Sequence, residues 1–271
     1  MKYIKFLLVI TSIPVALVAL AVLHGFYWLF DVTQAKTRIR GISFCRKMYL
    51  RFVCSVLGLR THNFLSDRLS KSPHLTVANH HSFLDIFVLG KDFNGWFLAK
   101  SEVKDWPMIG LLARLSGVVF VDRSDLGSRI RSIHALQKLS NSGGVCVFPE
   151  GTTTANYYPE KSAWAAGSFA SVLKNPHALI VSHAISYQDH KFHAWIGDQG
   201  FLTHLFNVCS LPSHEVYITS KQYSKKGLPK STRETSVFVR NCLMKHCLSN
   251  HAMIEEELKS TYTSFNPIVN Y

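Results

Sequence analysis

The chain has 271 residues, of which 47% are hydrophobic and 17% are charged, and its 30 Lys and Arg against 17 Asp and Glu give a formal net charge of +13. The apolar content excludes an intrinsically disordered chain, because enough apolar surface is present to offset the entropy lost on folding. The positive charge predicts an anionic partner: a nucleic acid, a phospholipid surface or a phosphorylated substrate. Where the charge lies along the chain decides among these three.

The N-terminal segment from Phe6 to Phe30 contains 25 residues without a charged side chain. As a helix with a rise of about 1.5 Å per residue, it is long enough to cross the hydrocarbon core of a bilayer. Lys2 and Lys5 precede this segment. After it come seven Lys and Arg residues and only one acidic residue, Asp31, before a second acidic residue occurs. This asymmetry predicts a membrane anchor with the C-terminal body on the cytoplasmic side.

Two alternatives to a spanning anchor stay open. The basic start and the small residues around Ala21 are also typical of a cleaved signal peptide, but the apolar run continues for nine residues beyond Ala21 and favours retention. Pro14 would permit a kinked or re-entrant helix.

The next segment, residues 31–70, is basic, and its stretch Ile42–Leu59 is apolar apart from Arg46, Lys47 and Arg51. This pattern predicts a helix that lies on an anionic membrane surface. The alternative is a core helix whose long cations reach solvent past apolar neighbours.

Beyond Lys71, short apolar runs alternate with amphipathic stretches of helical length. The predicted strands are His74–Ala78, Trp96–Ala99, Val118–Val121, Val145–Phe148, Leu179–Ile185, Phe192–Ile196 and Glu215–Thr219. The predicted helices are Ser82–Gly90, Met108–Ser116, Gly127–Ser140, Ala163–Leu173, Leu202–Cys209 and Ser231–Leu258. The alternation predicts an α/β fold with a largely parallel sheet flanked by helices. The chain then divides into a membrane anchor (1–30), a basic membrane-surface segment (31–70) and an α/β domain (71–271).

The motifs of several common sites are absent from the sequence: GxSxG, GxxxxGK[ST], GxGxxG after a strand, and HExxH. The six cysteines contain no CxxC pair, which predicts reduced and mostly buried thiols. His183, His190, His193 and His204 fall on different predicted elements without a carboxylate partner. We therefore expect neither a metal nor an organic cofactor.

A polar group, Asn79–Asp85 (NHHSFLD), directly follows a predicted strand. A histidine paired with a carboxylate can act as a general base, because the acid fixes the imidazole tautomer and stabilises the cation that forms. On a helix His81 and Asp85 share a face, whereas His80 meets Asp85 only if His80 lies in the turn before the helix. Spacing alone leaves both pairs open, and it also allows either histidine to be a capping or core residue without a catalytic role.

Three further groups follow predicted strands, namely the strand end Gly117–Arg123 (GVVFVDR), the turn Phe148–Thr152 (FPEGT) and Trp195–Asp198 (WIGD). In an open α/β sheet, ligands bind outside the carboxyl ends of the strands. We therefore expect these groups and Asn79–Asp85 to meet at one edge of the sheet.

The motifs NHHSFLD, GVVFVDR and FPEGT, in this order, resemble the glycerolipid acyltransferase family typified by 1-acyl-sn-glycerol-3-phosphate acyltransferase. The likeness runs from about Lys71 to Arg240 and includes the connecting segment FLAKSEVKDWPMIG. The stretch AWIGDQGFLTHL resembles a bacterial branch that contains lysophosphatidic acid and lyso-ornithine lipid acyltransferases. The resemblance implies that residues 71–271 form an acyltransferase domain on the cytoplasmic face of a membrane. In a bacterium this would be the inner membrane.

The resemblance also implies roles for single residues. His80 corresponds to the catalytic base, Asp85 to the acid that orients it, and His81 to a variable position. The residues implied to bind the acceptor are Arg123, Glu150, Gly151, Thr152 and Lys100. Arg123 would hold the acceptor's phosphate, which suits the fork of a guanidinium group.

The implied reaction moves a fatty acyl group from acyl-CoA or acyl carrier protein, both substrates rather than cofactors, to the free hydroxyl of a lysolipid. Lysophosphatidic acid is the expected acceptor and phosphatidic acid the expected product, at an anionic membrane and without a nucleic-acid partner. Thr153 and Ser182 depart from the family pattern, which often has arginine and proline there. The missing arginine leaves room for a zwitterionic or amide-linked acceptor such as a lyso-ornithine lipid.

Two other function classes stay open. A non-catalytic lipid-binding protein at a membrane surface would explain the anchor and the charge, but it would leave His80 and Asp85 unused. A lipid hydrolase would use the same base with water in place of the lysolipid.

Overall fold

The computed structural model describes residues 1–65, 74–122, 126–156, 158–159, 164–173, 175–197 and 199–265. The strands are β1 (Leu59–Leu65), β2 (Leu75–Ala78), β3 (Trp96–Lys100), β4 (Val118–Val121), β5 (Val145–Val147), β6 (Leu179–Tyr187) and β7 (His214–Ser224). The helices are α1 (Lys2–Leu29), α2 (Ala35–Leu57), α3 (Leu84–Gly90), α4 (Ile109–Leu115), α5 (Leu126–Gly143), α6 (Gly167–Leu173), α7 (His190–His193), α8 (Phe201–Val208) and α9 (Thr232–Phe265).

Within the described residues, seven strands form one sheet in the order β1-β7-β6-β2-β5-β3-β4. The strands from β6 to β4 in this order run parallel, β7 pairs antiparallel with β6, and β1 runs parallel to β7. In the central strands, Leu75, Val77, Val145 and Val147 have at most 1% of their surface exposed. Burial on both faces is typical of parallel strands covered by helices. The predicted α/β fold with a largely parallel sheet is confirmed.

The predicted strand Phe192–Ile196 is wrong. Residues His190–His193 form the short helix α7, and residues 194–196 are irregular. The Asp189 side chain accepts the backbone N–H of Phe192 at 3.0 Å and caps this turn. The local cap outweighs the alternation of apolar side chains at positions 192, 194 and 196, on which the strand was predicted.

Helix α1 lies along the α/β body and is held to it near both ends. Lys5 Nζ donates to the carbonyl oxygens of Leu57 and Leu211, each at 2.9 Å. His24 Nε2 donates to the carbonyl oxygen of Leu115 at 3.1 Å. By length and composition this helix could cross a membrane. A crossing that left the whole body on one side would have to break one of these attachments.

The outer surfaces of α1 and α2 carry many exposed apolar side chains, and we call them the two-helix apolar face. Its members are Leu7, Leu8, Val15, Val18, Val22, Phe26, Phe44, Met48 and Phe52. Exposed apolar surface of this extent marks an interaction site, either for a protein or for a membrane.

Arg46 joins the inner side of α2 to the sheet. Its guanidinium donates to the carbonyl oxygens of Phe93 at 2.9 Å, Gly95 at 3.0 Å and Ser116 at 2.7 Å, just before β3 and β4 begin. Burial lowers the pKa of Arg46 to about 10, so the side chain stays charged at neutral pH. This cation therefore faces the protein interior, and neither the membrane-surface helix nor the core helix with solvent-reaching cations predicted this for Arg46.

Candidate active site

The segments that follow β2 and β5 lie next to each other because these two strands are parallel neighbours in the sheet. The loop after β2 carries His80, and the turn after β5 carries Glu150 and Gly151. Strands β3, β4 and β6 end at the same edge. The structure therefore contains the sheet edge at which the sequence motifs were expected to meet.

His80 and Asp85 are hydrogen-bonded, with His80 Nδ1 at 3.0 Å from Asp85 Oδ2. His80 lies in the loop before α3, while Asp85 lies in the first turn of that helix and is fully buried. Because a carboxylate only accepts, His80 Nδ1 carries a proton, and in the neutral ring the lone pair is therefore on Nε2. No described residue bonds to Nε2, and 14% of the His80 side chain is exposed. The ring is therefore oriented for proton abstraction at Nε2.

The alternative pair of His81 with Asp85 is not formed between side chains. The backbone N–H of His81 donates to Asp85 Oδ2 at 2.7 Å, and that of Ser82 donates at 2.9 Å. The His81 ring instead donates from Nε2 to the carbonyl oxygen of His190 at 2.5 Å and is 2% exposed. The geometry therefore pairs the ring of His80, and not that of His81, with the Asp85 carboxylate.

Glu150 supports the loop that carries His80. Its Oε1 accepts the backbone N–H of His80 at 2.8 Å, and its Oε2 accepts the hydroxyl of Thr154 at 3.2 Å. The backbone N–H of Thr154 donates in turn to the His80 carbonyl at 3.0 Å. Since Glu150 is only 5% exposed, its described contacts indicate a role in holding His80 rather than in touching an acceptor.

The turn after β5 is tight and places an aromatic ring against the base. Gly151 has a φ of +77°, a conformation that favours glycine, and its N–H donates to the Phe148 carbonyl at 3.0 Å. The Phe148 ring stacks on the His80 ring with centroids 4.1 Å apart. The amide of Gly151 is thus already used by the turn and is not free to stabilise an oxyanion.

The other residues implied to bind the acceptor are either exposed or outside the described residues. Thr152 is exposed at the end of the same turn. Lys100 ends β3 and forms an ion pair with Glu102 at 2.7 Å, in which both side chains are more than half exposed. Arg123 lies outside the described residues.

Thr153, the position that departs from the family pattern, joins two of the sequence motifs. Its hydroxyl donates to the carbonyl oxygen of Trp195. The backbone N–H of Trp195 donates in turn to the His81 carbonyl at 3.0 Å. Trp195 packs in a cluster of aromatic rings with centroids 5.0 to 6.2 Å apart, whose members are Phe83, Trp106, Trp195 and Phe201. An apolar wall therefore lies beside the loop that carries His80.

Two buried polar residues hold this site through contacts that the sequence did not predict. Asn79 pairs its side-chain amide with both the N–H and the carbonyl of Ile185, each at 2.8 Å. The hydroxyl of Tyr187 donates to Asp85 Oδ1 at 2.6 Å. Both contacts join residues more than a hundred positions apart, so no local pattern could have revealed them.

Three histidines outside this site are neutral at pH 7. Burial lowers the pKa values of His183, His193 and His214 to about 4. His193 Nδ1 donates to the Asp189 carbonyl at 2.5 Å, so its Nε2 accepts the Nδ1 proton of His214 at 2.8 Å. In the part of the chain that the structure describes, no group of three or more His, Cys, Asp or Glu is arranged to hold a metal.

Comparisons with known proteins show what this chain is similar to. The family model described as Acyltransferase matches residues 60–186. The lyso-ornithine lipid O-acyltransferase of Rhizobium meliloti (strain 1021) is 35% identical over 175 residues, which cover 58% of this chain and 59% of that protein. The 1-acyl-sn-glycerol-3-phosphate acyltransferase of Saccharomyces cerevisiae is 38% identical over 101 residues, 36% of this chain and 33% of that protein. This chain thus matches less than two thirds of the length of these relatives.

Among solved structures, the fold resembles the 1-acyl-sn-glycerophosphate (LPA) acyltransferase PlsC from Thermotoga maritima. The TM-score is 0.60 at 18% sequence identity, over 96% of this chain and 98% of that one. At this identity the likeness establishes the fold, from the N-terminal helices to the C-terminal helix.

Proposed function

We propose that this protein transfers a fatty acyl group from an acyl thioester to the free hydroxyl of a lysolipid, because residues 60–186 belong to the acyltransferase family. The observation that carries the proposal is the bond of 3.0 Å between His80 and the buried Asp85 at the carboxyl edge of the sheet. The donor is acyl-CoA or acyl carrier protein. This donor choice follows from the family resemblance.

In the proposed reaction, His80 Nε2 takes the proton of the acceptor hydroxyl while that oxygen attacks the thioester carbonyl. The tetrahedral intermediate then expels the thiolate of the donor, which recovers the proton from the His80 imidazolium. The Asp85 carboxylate stabilises that imidazolium in between, and no acyl group becomes attached to the protein. General-base catalysis of this kind contributes typically about 10²–10⁴ in rate.

Lysophosphatidic acid is the first candidate acceptor, because a guanidinium such as that of Arg123 suits its phosphate. A lyso-ornithine lipid is the second candidate, and a specific observation favours it. Position 153 offers a threonine hydroxyl that is bonded to the Trp195 carbonyl, so the described turn presents no cation there. The name of the Rhizobium meliloti relative is consistent with this second acceptor.

The membrane is proposed as the place where acceptor and product reside. The two-helix apolar face supports membrane association, and the attachments of Lys5 and His24 support a helix that lies within one leaflet beside the body. A Phe44→Ser and Phe52→Ser double variant should lose binding to anionic vesicles. The control is a double variant at two exposed residues of α9, Val237→Ser and Phe238→Ser, which should keep it.

The test of the activity is acyl transfer by membranes that contain the wild-type protein, His80→Ala or His81→Ala. Each is given labelled acyl-CoA or acyl carrier protein with a panel of lysolipids, and mass spectrometry identifies the products. We expect transfer by the wild type and by His81→Ala, and none by His80→Ala. The proposal fails if a folded, membrane-bound wild type transfers to no acceptor, or if His80→Ala is as active as the wild type. Release of free fatty acid without an acceptor would indicate a hydrolase.

A further inference from the structure

We infer that Tyr187 is a positioning residue for the proposed base, because it holds the Asp85 carboxylate in the orientation that presents one oxygen to His80. This inference rests on the proposed function. Tyr187 is the last residue of β6, the strand next to β2, and its side chain does not belong to any of the sequence motifs.

The two oxygens of Asp85 have different partners. Oδ2 accepts three bonds from the loop before α3, from His80 Nδ1 at 3.0 Å and from the backbone N–H groups of His81 at 2.7 Å and Ser82 at 2.9 Å. Among the described residues, Oδ1 accepts only the hydroxyl of Tyr187, at 2.6 Å. Tyr187 thus fixes the one end of the carboxylate that the loop leaves free.

The Tyr187 hydroxyl is a permanent donor at this position. Burial and the neighbouring Asp85 carboxylate raise the pKa of Tyr187 well above its ordinary value, so the hydroxyl keeps its proton. The ring cannot swing away easily, because it stacks on His193 with centroids 4.7 Å apart and on His81 with centroids 5.8 Å apart. Both neighbours are themselves 2% exposed.

Loss of the hydroxyl would leave Asp85 Oδ1 buried without a donor, which is unfavourable for a charged oxygen. The carboxylate would then turn or admit water, and the bond from Oδ2 to His80 would lengthen. Tyr187 is buried behind Asp85, so it has no route to a substrate that reaches His80 from the exposed side. The expected result is a loss in kcat with little change in KM.

The experiment compares Tyr187→Phe with Tyr217→Phe in the full-length, membrane-bound protein. Tyr217 is the matched control, because its hydroxyl also donates to a carboxylate, that of Glu257 at 2.5 Å, but on β7 and without contact to Asp85. We expect Tyr187→Phe to lower kcat for lysolipid acylation about 10–100-fold, the size of effect expected for a misplaced catalytic group. KM should stay within about twofold of the wild type, and Tyr217→Phe should keep kcat.

A spectroscopic readout separates this inference from the proposed function. In 15N-histidine-labelled protein, the NMR resonance of the His80 Nδ1 proton is assigned by its absence from His80→Ala. In Tyr187→Phe, and not in Tyr217→Phe, this resonance should shift or the proton should exchange faster with solvent. If Tyr187→Phe does not fold, 3-fluorotyrosine at position 187 keeps the shape, strengthens the donor and should also shift that resonance. The inference is overturned if neither change at position 187 moves the resonance, or if kcat of Tyr187→Phe equals that of Tyr217→Phe. If the wild type acylates no lysolipid, the proposed function fails, and the resonance still decides whether Tyr187 positions Asp85.

Discussion

The Glu150 carboxylate accepts the backbone N–H of His80 at 2.8 Å, so the turn after β5 fixes the loop after β2. Thr154 clamps the same residue from its other side through the His80 carbonyl, at 3.0 Å. Two motifs that are about seventy residues apart in the chain therefore act as one unit. The orientation of the His80 ring depends on this clamp as well as on Asp85.

Glu150→Gln and Glu150→Ala test whether this clamp or the negative charge matters. The glutamine oxygen can still accept the His80 N–H, and its NH₂ can donate to the Thr154 hydroxyl, so we expect acyl transfer within about tenfold of the wild type. Glu150→Ala leaves the His80 N–H unpaired and should lower kcat roughly 100-fold. Steady-state kinetics with each lysolipid make the comparison. A contact between Glu150 and the acceptor would instead make both variants raise KM alike.

Thr153→Val tests the bond between the turn after β5 and Trp195. Valine keeps the shape of threonine but leaves the Trp195 carbonyl without this donor, which should lower the free energy of unfolding by about 1 kcal/mol. The acceptor KM should rise, because the aromatic wall beside His80 loses one attachment. Thr152→Val, at the exposed neighbouring position, is the control for stability and should leave the free energy of unfolding unchanged. Equal free energies of unfolding for the two variants would show that the bond to Trp195 does not stabilise the fold.

The sequence predicted those features that depend on neighbouring residues. The run Val118–Val121 predicted β4 with its observed bounds, because a short β-branched run between turn residues has few alternatives. The sequence also predicted a strand at Phe192–Ile196, and this prediction was wrong, because the side-chain cap from Asp189 stabilises a helical turn there. Spacing alone did not identify the pair of His80 with Asp85, since it placed His81 on the same helix face as Asp85, and only the family resemblance implied His80.

Contacts between distant segments could not be read from the sequence at all. Tyr187 reaches Asp85 only because β6 lies beside β2, and strand order is not written in any local pattern. Glu150 was identified as part of a motif, yet its bond to the His80 backbone became visible only in three dimensions. Arg46 likewise looked like one of several surface cations and proves to be buried.

Arg46→Met tests the attachment of α2 to the sheet. Methionine fills similar space but leaves the carbonyls of Phe93, Gly95 and Ser116 without their donor, which should lower the free energy of unfolding by about 3 kcal/mol. Arg51→Met, five residues later on α2, is the control. Arg51 pairs with an exposed carboxylate and is itself 55% exposed, so its loss should cost about 1 kcal/mol or less. Chemical denaturation in detergent measures both, and similar losses would contradict a special role for Arg46.

The hydrogen bond between His193 and His214 predicts a loss of stability in mild acid. The pKa values of both rings are about 4 in the folded protein and near 6.5 when unfolded. Because the unfolded chain binds protons more readily, stability is full above pH 6.5 and falls as the pH drops toward 4, by about 1.4 kcal/mol per pH unit for each histidine. A protonated His193 would also turn its Nε2–H toward the Nδ1–H of His214, so the bond could not persist. His193→Gln, which can donate and accept in the same places without titrating, should reduce this slope by the share of one histidine. Denaturation curves between pH 7 and pH 4.5 measure it, and an unchanged slope in His193→Gln would mean that this pair does not set the acid sensitivity of the fold.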